Sequence, residues 1–337
     1  MPRATPRSGP SAALLWANML VIYVVWGSTY FAIAISIESP GMPPFLMAAI
    51  RFTIAGLLLL GFDLLRHPEA RRMPSRRQLV DSAIVGGLLL GIGNGFVVFG
   101  QKTVPSGVAA ILIAMMPLWF ALLGWLYLRE RLPRMVLIAI AVGFAGTALL
   151  IWPAGDGANR FDPLGILILL IAPLGWAHGS IYSMRRAKLP PSQLSASGLQ
   201  MLAGGAVTGL WALLTGEPAT FDPATISTAS LVAIVYLIFI GSMLAYTAYA
   251  WLLRNAPLPL IGTYAYVNPV VAVALGTVFL GEQLSLRTIV ASVVILAAVA
   301  IIVTARGRLA IAGSSTEDED ASEVETAGVP AAAQRRT

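Results

Sequence analysis

Apolar residues in this chain come in long blocks, with proline, glycine and charge gathered between them. The blocks lie near 14–36, 45–65, 82–101, 107–128, 135–152, 164–183, 197–215, 229–252, 259–280 and 288–305. Between them stand Ser39-Pro40-Gly41 and the clusters at 66–77, 129–134, 153–163, 185–191 and 216–227. A bilayer core about 30 Å thick is crossed by roughly 20 helical residues, whereas a barrel strand needs only about 10 alternating ones. The pattern therefore predicts an all-α integral membrane protein of ten transmembrane helices. It leaves 1–13 and 306–337 as polar ends.

Composition agrees. Of 337 residues, 57% are hydrophobic and 11% are charged, against about 25% charged in a soluble domain. The net charge of +6 is spread over the connections rather than along one stripe, which speaks against nucleic acid. With the N-terminus placed inside, eighteen Lys and Arg fall on inner segments, and only Lys102, Arg160 and Arg287 fall outside. By the positive-inside rule both termini are cytoplasmic. Arg3 and Arg7 ahead of the first block resemble a signal peptide, but the block is too long for one. The acidic stretch after Ser314, with Glu317, Asp318, Glu319 and Asp320, reads as a disordered tail.

The chain also repeats itself. A shift of 152 residues lays Pro105 on Pro257, Pro117 on Pro269, Gly124 on Gly276, Glu130 on Glu282 and Leu132 on Leu284. Trp26-Gly27 likewise has a counterpart in Trp176-Ala177. Two five-helix halves, 14–152 and 164–305, follow, and the odd helix number sends the second half into the membrane upside down. Inverted repeats are a recurrent architecture of secondary transporters, with the site between the halves near the midplane.

Several local patterns resemble the EamA family of the drug/metabolite transporter superfamily, its YedA-type members included. They are Trp26-Gly27-Ser28-Thr29-Tyr30-Phe31, Arg51-Phe52, Gly93-Asn94-Gly95, Val104-Pro105-Ser106-Gly107 and Tyr264-Ala265-Tyr266-Val267-Asn268-Pro269. The likeness runs from about residue 14 to 305. It implies two EamA repeats of five helices and export of small molecules such as amino acids. Gly100-Gln101-Lys102 departs from the pattern, since YedA-type sequences tend to carry an acid and a histidine there. No coupling role is carried over to that position.

Candidate substrate-binding residues follow from cost and spacing. Arg51 is the formal charge well inside a block, at roughly 2.5–3.5 kcal/mol for insertion; it holds a substrate carboxylate, or it is structural, with Glu38 as a partner. Asn94 and Gln101 stand seven apart on one face of a helix whose Gly87, Gly91 and Gly95 allow close approach. Pro117, Pro173 and Pro269 free the carbonyls of Ile113, Leu169 and Ala265 and are candidate hinges. Beside Pro269, Tyr264 and Asn268 face the same way. Trp26 with Tyr30, Trp176, His178 with Tyr182, and Trp119 with Met115 supply aromatic faces at matched depths, as an amphipathic pocket requires. Glu130 and Glu282 are candidate gates that pair with Arg131 or Arg287.

The same reading excludes other classes. There is no cysteine, and His67 and His178 are too few for a histidine metal site. No nucleotide-binding loop occurs, and no cofactor is implied. The expected partners are the bilayer and a small-molecule substrate, with protons as a coupling ion. No Asp or Glu is expected deep in a span, which leaves His178 as the mid-span group that titrates near neutral pH. Uptake, lipid-linked sugar movement and a ligand-binding receptor remain the alternatives on this fold. An intramembrane enzyme lacks the clustered acids or nucleophile it would need.

Overall fold

The computed structural model describes residues 11–66, 74–129, 133–151 and 161–304. Its principal helices are α1 (Ala12–Glu38), α2 (Pro44–Arg66), α3 (Arg76–Gly100), α4 (Ser106–Tyr127), α5 (Arg134–Ile151), α6 (Pro163–Arg185), α7 (Gln193–Leu214), α8 (Thr228–Asn255), α9 (Tyr264–Leu280) and α10 (Leu286–Thr304). Eight of these described helices are long and apolar enough to cross a bilayer, and α5 and α9 are the shorter apolar ones. No strand occurs among the described residues. The starts are written locally. Ser11, Ser75, Asp162, Ser192 and Ser227 each accept an N–H of the first turn they precede, satisfying donors that an apolar surround would leave unpaired.

One such cap moves a boundary. Ser75 and Gln78 exchange side-chain-to-backbone bonds of 3.3 and 2.9 Å, a reciprocal pair that starts α3 at Arg76, six residues before the expected 82. Asp81 is thereby drawn into the helix and is 1% exposed, and Asp63 near the end of α2 is fully buried. The expectation was that no acid lies deep in a span; these two stand within about a turn and a half of a helix end, and both find donors. Asp81 accepts from the Tyr182 hydroxyl (2.6 Å), the Lys188 N–H (2.7 Å) and Arg77 Nε (3.0 Å). Asp63 accepts the Ser195 hydroxyl.

The helices pack as two equivalent sets. α1 lies on α8 and α9, while α6 lies on α3 and α4. α2 packs along α7, and α5 meets α10 where a Cβ on Gly146 would come 2.9 Å from Ile295. The backbone repeats its irregularities as well. α3 widens to π-helical bonding over Gly87–Asn94, and α8 does so over Leu237–Leu244, 150 residues on. α4 ends at Arg129 (φ 53°) and α9 at Gly281 (φ 64°), 152 residues apart, and the two residues donate to the carbonyls of Gly124 and Gly276. Two halves of one pattern are thus visible in the backbone itself. The hinge prolines behave differently. Helical bonding in α4 breaks at Ala114–Met115 just before Pro117, whereas Pro173 and Pro269 lie inside continuous helices. The break beside α9 falls at Gly262–Thr263, after a helical turn at Leu258–Ile261.

The two left-handed caps give a paired test. Only glycine takes that conformation freely; other residues lose roughly 1–2 kcal/mol there. Nothing lies within 4 Å of a Cβ on Gly281, so Gly281→Ala should lower the unfolding midpoint in detergent by the conformational term alone. Arg129→Gly should raise it. A fall in both variants would show that the caps are governed by something other than backbone conformation.

Candidate functional site

A small cavity of about 50 Å³ lies among α1, α3, α4, α6 and α9. At roughly 10–15 Å³ apiece it holds only a few waters. Its walls are Trp26, Thr29, Tyr30 and Ile33 of α1, Gly93, Asn94 and Val97 of α3, Ile113 and Met116 of α4, Ala172, Pro173 and Trp176 of α6, and Tyr264 and Asn268 of α9. Both halves contribute, and equivalent positions meet. Trp26 and Trp176 stand edge to face with ring centroids 5.3 Å apart, while Met116 and Asn268, matched by the 152-residue shift, both face the cavity.

The aromatic wall is a connected cluster. Trp26 also packs on Tyr249 (4.9 Å) and Tyr264 (5.4 Å). Trp176 Nε1 donates to the Tyr249 hydroxyl at 2.9 Å, and the Ser180 hydroxyl lies 2.8 Å from both Tyr249 Oη and the Trp176 carbonyl. Since Ser180 gives its proton to that carbonyl, Tyr249 donates to Ser180 and accepts from Trp176, and every donor in the ring of contacts is used. α1 approaches α9 closely because residue 27 is glycine. A Cβ there would lie 2.6 Å from that of Val271.

The polar groups are few and fixed. Oriented by its hydrogen bonds, the Asn268 amide donates to the carbonyls of Tyr23 (3.0 Å) and Tyr264 (3.3 Å). Asn94 Oδ1 lies 3.5 Å from Arg51 Nη1. Arg51 itself is 2% exposed and sits behind the wall, with Nε donating to Ser242 Oγ at 2.7 Å. It stacks over Phe52 at 4.9 Å. Glu38 is not its partner, and it forms no ion pair with a carboxylate among the described residues.

Other expected site residues stand elsewhere. His178 lies against Tyr127, 2.8 Å from its hydroxyl, and 3.1 Å from the Leu174 carbonyl. Trp119 packs on Phe144 at 6.2 Å. Gln101 lies beyond the cavity at the end of α3, 7% exposed. Glu282 does not pair with Arg287. Its carboxylate accepts from Ser106 N (2.7 Å), Ser106 Oγ (2.6 Å) and Gly107 N (3.0 Å), capping α4, while Arg287 donates to the carbonyls of Leu149 and Leu150. Helix ends offer acids and bases better-placed partners than each other. Glu130 and Arg131 lie outside the described residues. Tyr249, Ser242 and Thr29 escaped the sequence reading. The one available signal was three tyrosines, Tyr236, Tyr246 and Tyr249, inside a single apolar block.

A second carboxylate cap was also unforeseen. Glu217, after α7, accepts from the N–H groups of Phe45 (3.2 Å) and Leu46 (2.8 Å) at the start of α2. Burial raises its carboxyl above the usual range, against the pull of those two donors and of Lys102.

A membrane bundle in two matched halves, closing on a small aromatic and amide cavity, has the form of a transporter rather than an enzyme. The EamA-like transporter family model matches residues 12–152 and again 163–304, and the chain belongs to that family. It is 40% identical over 274 residues to the "Uncharacterized inner membrane transporter YedA" of Escherichia coli K12, covering 80% of this chain and 84% of that one. A Salmonella typhimurium protein named "Probable amino-acid metabolite efflux pump" is 26% identical over 294 residues, covering 82% of this chain and 91% of its own. One crystal structure superposes with a TM-score of 0.61 at 23% identity, over 89% of this chain and 99% of its own, a likeness of fold.

The Glu217 cap makes a signed prediction. A carboxyl whose folded pKa is raised holds its proton more tightly in the folded than in the unfolded state. Stability then falls as pH rises from the ordinary carboxylate range through the raised value. Unfolding midpoints measured from about pH 4 to 7 should show this slope in the parent and a flatter one in Glu217→Gln. An unchanged slope would assign it to other groups.

Proposed function

We propose that this protein is a secondary transporter of the bacterial inner membrane that exports small metabolites, amino acids or related compounds, by alternating access. In this reading the helices form ten spans as two inverted five-helix repeats, 14–152 and 164–305, with both termini cytoplasmic. The acidic segment 306–337, outside the described residues, is a cytoplasmic tail. The observation that carries the reading is the cavity, in which equivalent residues of both repeats meet. Pockets that take small molecules run to roughly 300–1,000 Å³, so a cavity of about 50 Å³ has to widen before it takes a substrate.

The wall chemistry supports a small amphipathic substrate. Trp26, Trp176 and Tyr264 offer apolar faces, while Asn94 and Asn268 offer amide groups for the polar end of a substrate. Behind Asn94, Arg51 holds donors that no carboxylate of the described chain takes up, which suits a substrate carboxylate once the wall parts. The relative named for amino-acid metabolite efflux points the same way. Pro117, beside the break in α4, is the best placed of the three prolines to act as a hinge.

Extracellular metabolomics on bacteria overproducing the protein tests this, with Asn268→Ala at matched membrane level as control. An amino acid or related compound should accumulate outside with the parent, and at least about tenfold less with the variant, a loss of roughly 1.4 kcal/mol in transition-state binding. Depletion of compounds from the medium would instead establish uptake. Equal accumulation with Asn268→Ala would remove that amide from the site.

A further inference from the structure

Gln101 is the polar side chain that the cavity leaves unexplained. It is 7% exposed, and neither its amide oxygen nor its amide nitrogen has a partner among the described residues. A buried amide with both ends unmet is rare and destabilising, and each case calls for a reason. Its position supplies one. The Gln101 N–H donates to the Val97 carbonyl at 3.1 Å, so Gln101 stands one α-helical turn beyond Val97 on the same face, and Val97 lines the cavity.

The neighbouring helices identify the side to which this face leads. The end of α3 meets the start of α6 through the Thr103–Asp162 hydrogen bond of 2.9 Å. The end of α9 meets the start of α4 through Glu282 and Ser106. One turn toward that shared side from their cavity residues, α4, α6 and α9 carry Ala109, Leu169 and Ala272, all buried. A route from the cavity to this face would have to pass these three side chains as an apolar plug, and Gln101 is an unpartnered amide on the remaining helix, α3. Lys102 and Arg287, with Arg160 outside the described residues, are the basic residues assigned to that face, which the charge distribution makes the outer one.

We infer that Gln101 is a second polar station on the outward route, taking the polar end of the substrate as it leaves Asn94 and Asn268. The inference rests on the transporter reading. It differs from a cavity contact because Gln101 meets substrate only when the plug parts. An amide serves there because it offers both a donor and an acceptor without a fixed charge that would trap a zwitterion.

The chain has no cysteine, so single cysteines report access directly. In cells treated from outside with a trimethylammonium methanethiosulfonate, Gln101→Cys should react at least about tenfold faster than Ala233→Cys, which is equally buried at 7% but lies on α8, outside the cavity walls, a gap of roughly 1.4 kcal/mol in opening free energy. Gln101→Leu should raise the unfolding midpoint by a few degrees and slow efflux of radiolabelled L-threonine and L-phenylalanine from proteoliposomes. Equal labelling of the two cysteines, or a Gln101→Leu protein less stable than the parent, would overturn the assignment, the latter by showing the amide to be structural. Neither of those arms needs a substrate, so failure of the parent to move amino acids would sink the proposed substrate class and leave the Gln101 result standing.

Discussion

A polar atom inside a bilayer has to find its partner within the protein, because no water is there to stand in. Nearly every arrangement in this fold answers that demand. Serine and aspartate side chains close the first turns of α1, α3, α6, α7 and α8. Carboxylates from distant loops close α2 and α4. Buried Asp81 collects three donors from three segments. Among the side chains left short, such as Ser82, Trp211, Thr247 and Gln101, Gln101 stands one turn beyond the cavity wall. Function is read most directly from that uneven distribution of satisfied and unsatisfied groups.

The central cluster shows how a duplicated chain builds a site. Two tryptophans at equivalent positions meet edge to face, an arrangement favoured by their opposed edge and face charges. Around them the halves have diverged: Met116 in one stands where Asn268 stands in the other. Divergence at the meeting point turns a symmetric seam into a cavity with a polar and an apolar side.

Much of this was legible in the residues. Block length gave the helices to within a few positions, since hydropathy over some 20 residues is a cumulative signal. The repeat was visible because Pro, Gly and Glu matches are rare in so apolar a chain. Trp26, Tyr30, Asn94, Trp176, Tyr264 and Asn268, which line the cavity, were legible because aromatic and amide side chains stand out against Leu and Val. The failures share a cause. The Ser75 cap moved α3 by six residues, and the partners of Glu217, Glu282 and Arg287 are backbone groups of other helices. Backbone donors and acceptors are identical in every residue, so no sequence pattern marks which helix end a carboxylate will reach. His178 and Trp119 were misplaced for a related reason: periodicity defines a face, and packing decides what that face meets.

The two π-helical segments carry a historical consequence. Such a segment arises when one residue is inserted into an α-helix and the excess is absorbed as a wider turn, at some cost in stability. Segments of eight residues at Gly87–Asn94 and Leu237–Leu244 occupy the same place in both halves. A single insertion in a five-helix ancestor, copied when the gene duplicated, accounts for both, where separate insertions would have to coincide. On that account the bulge is older than the fused chain, and both halves inherited it.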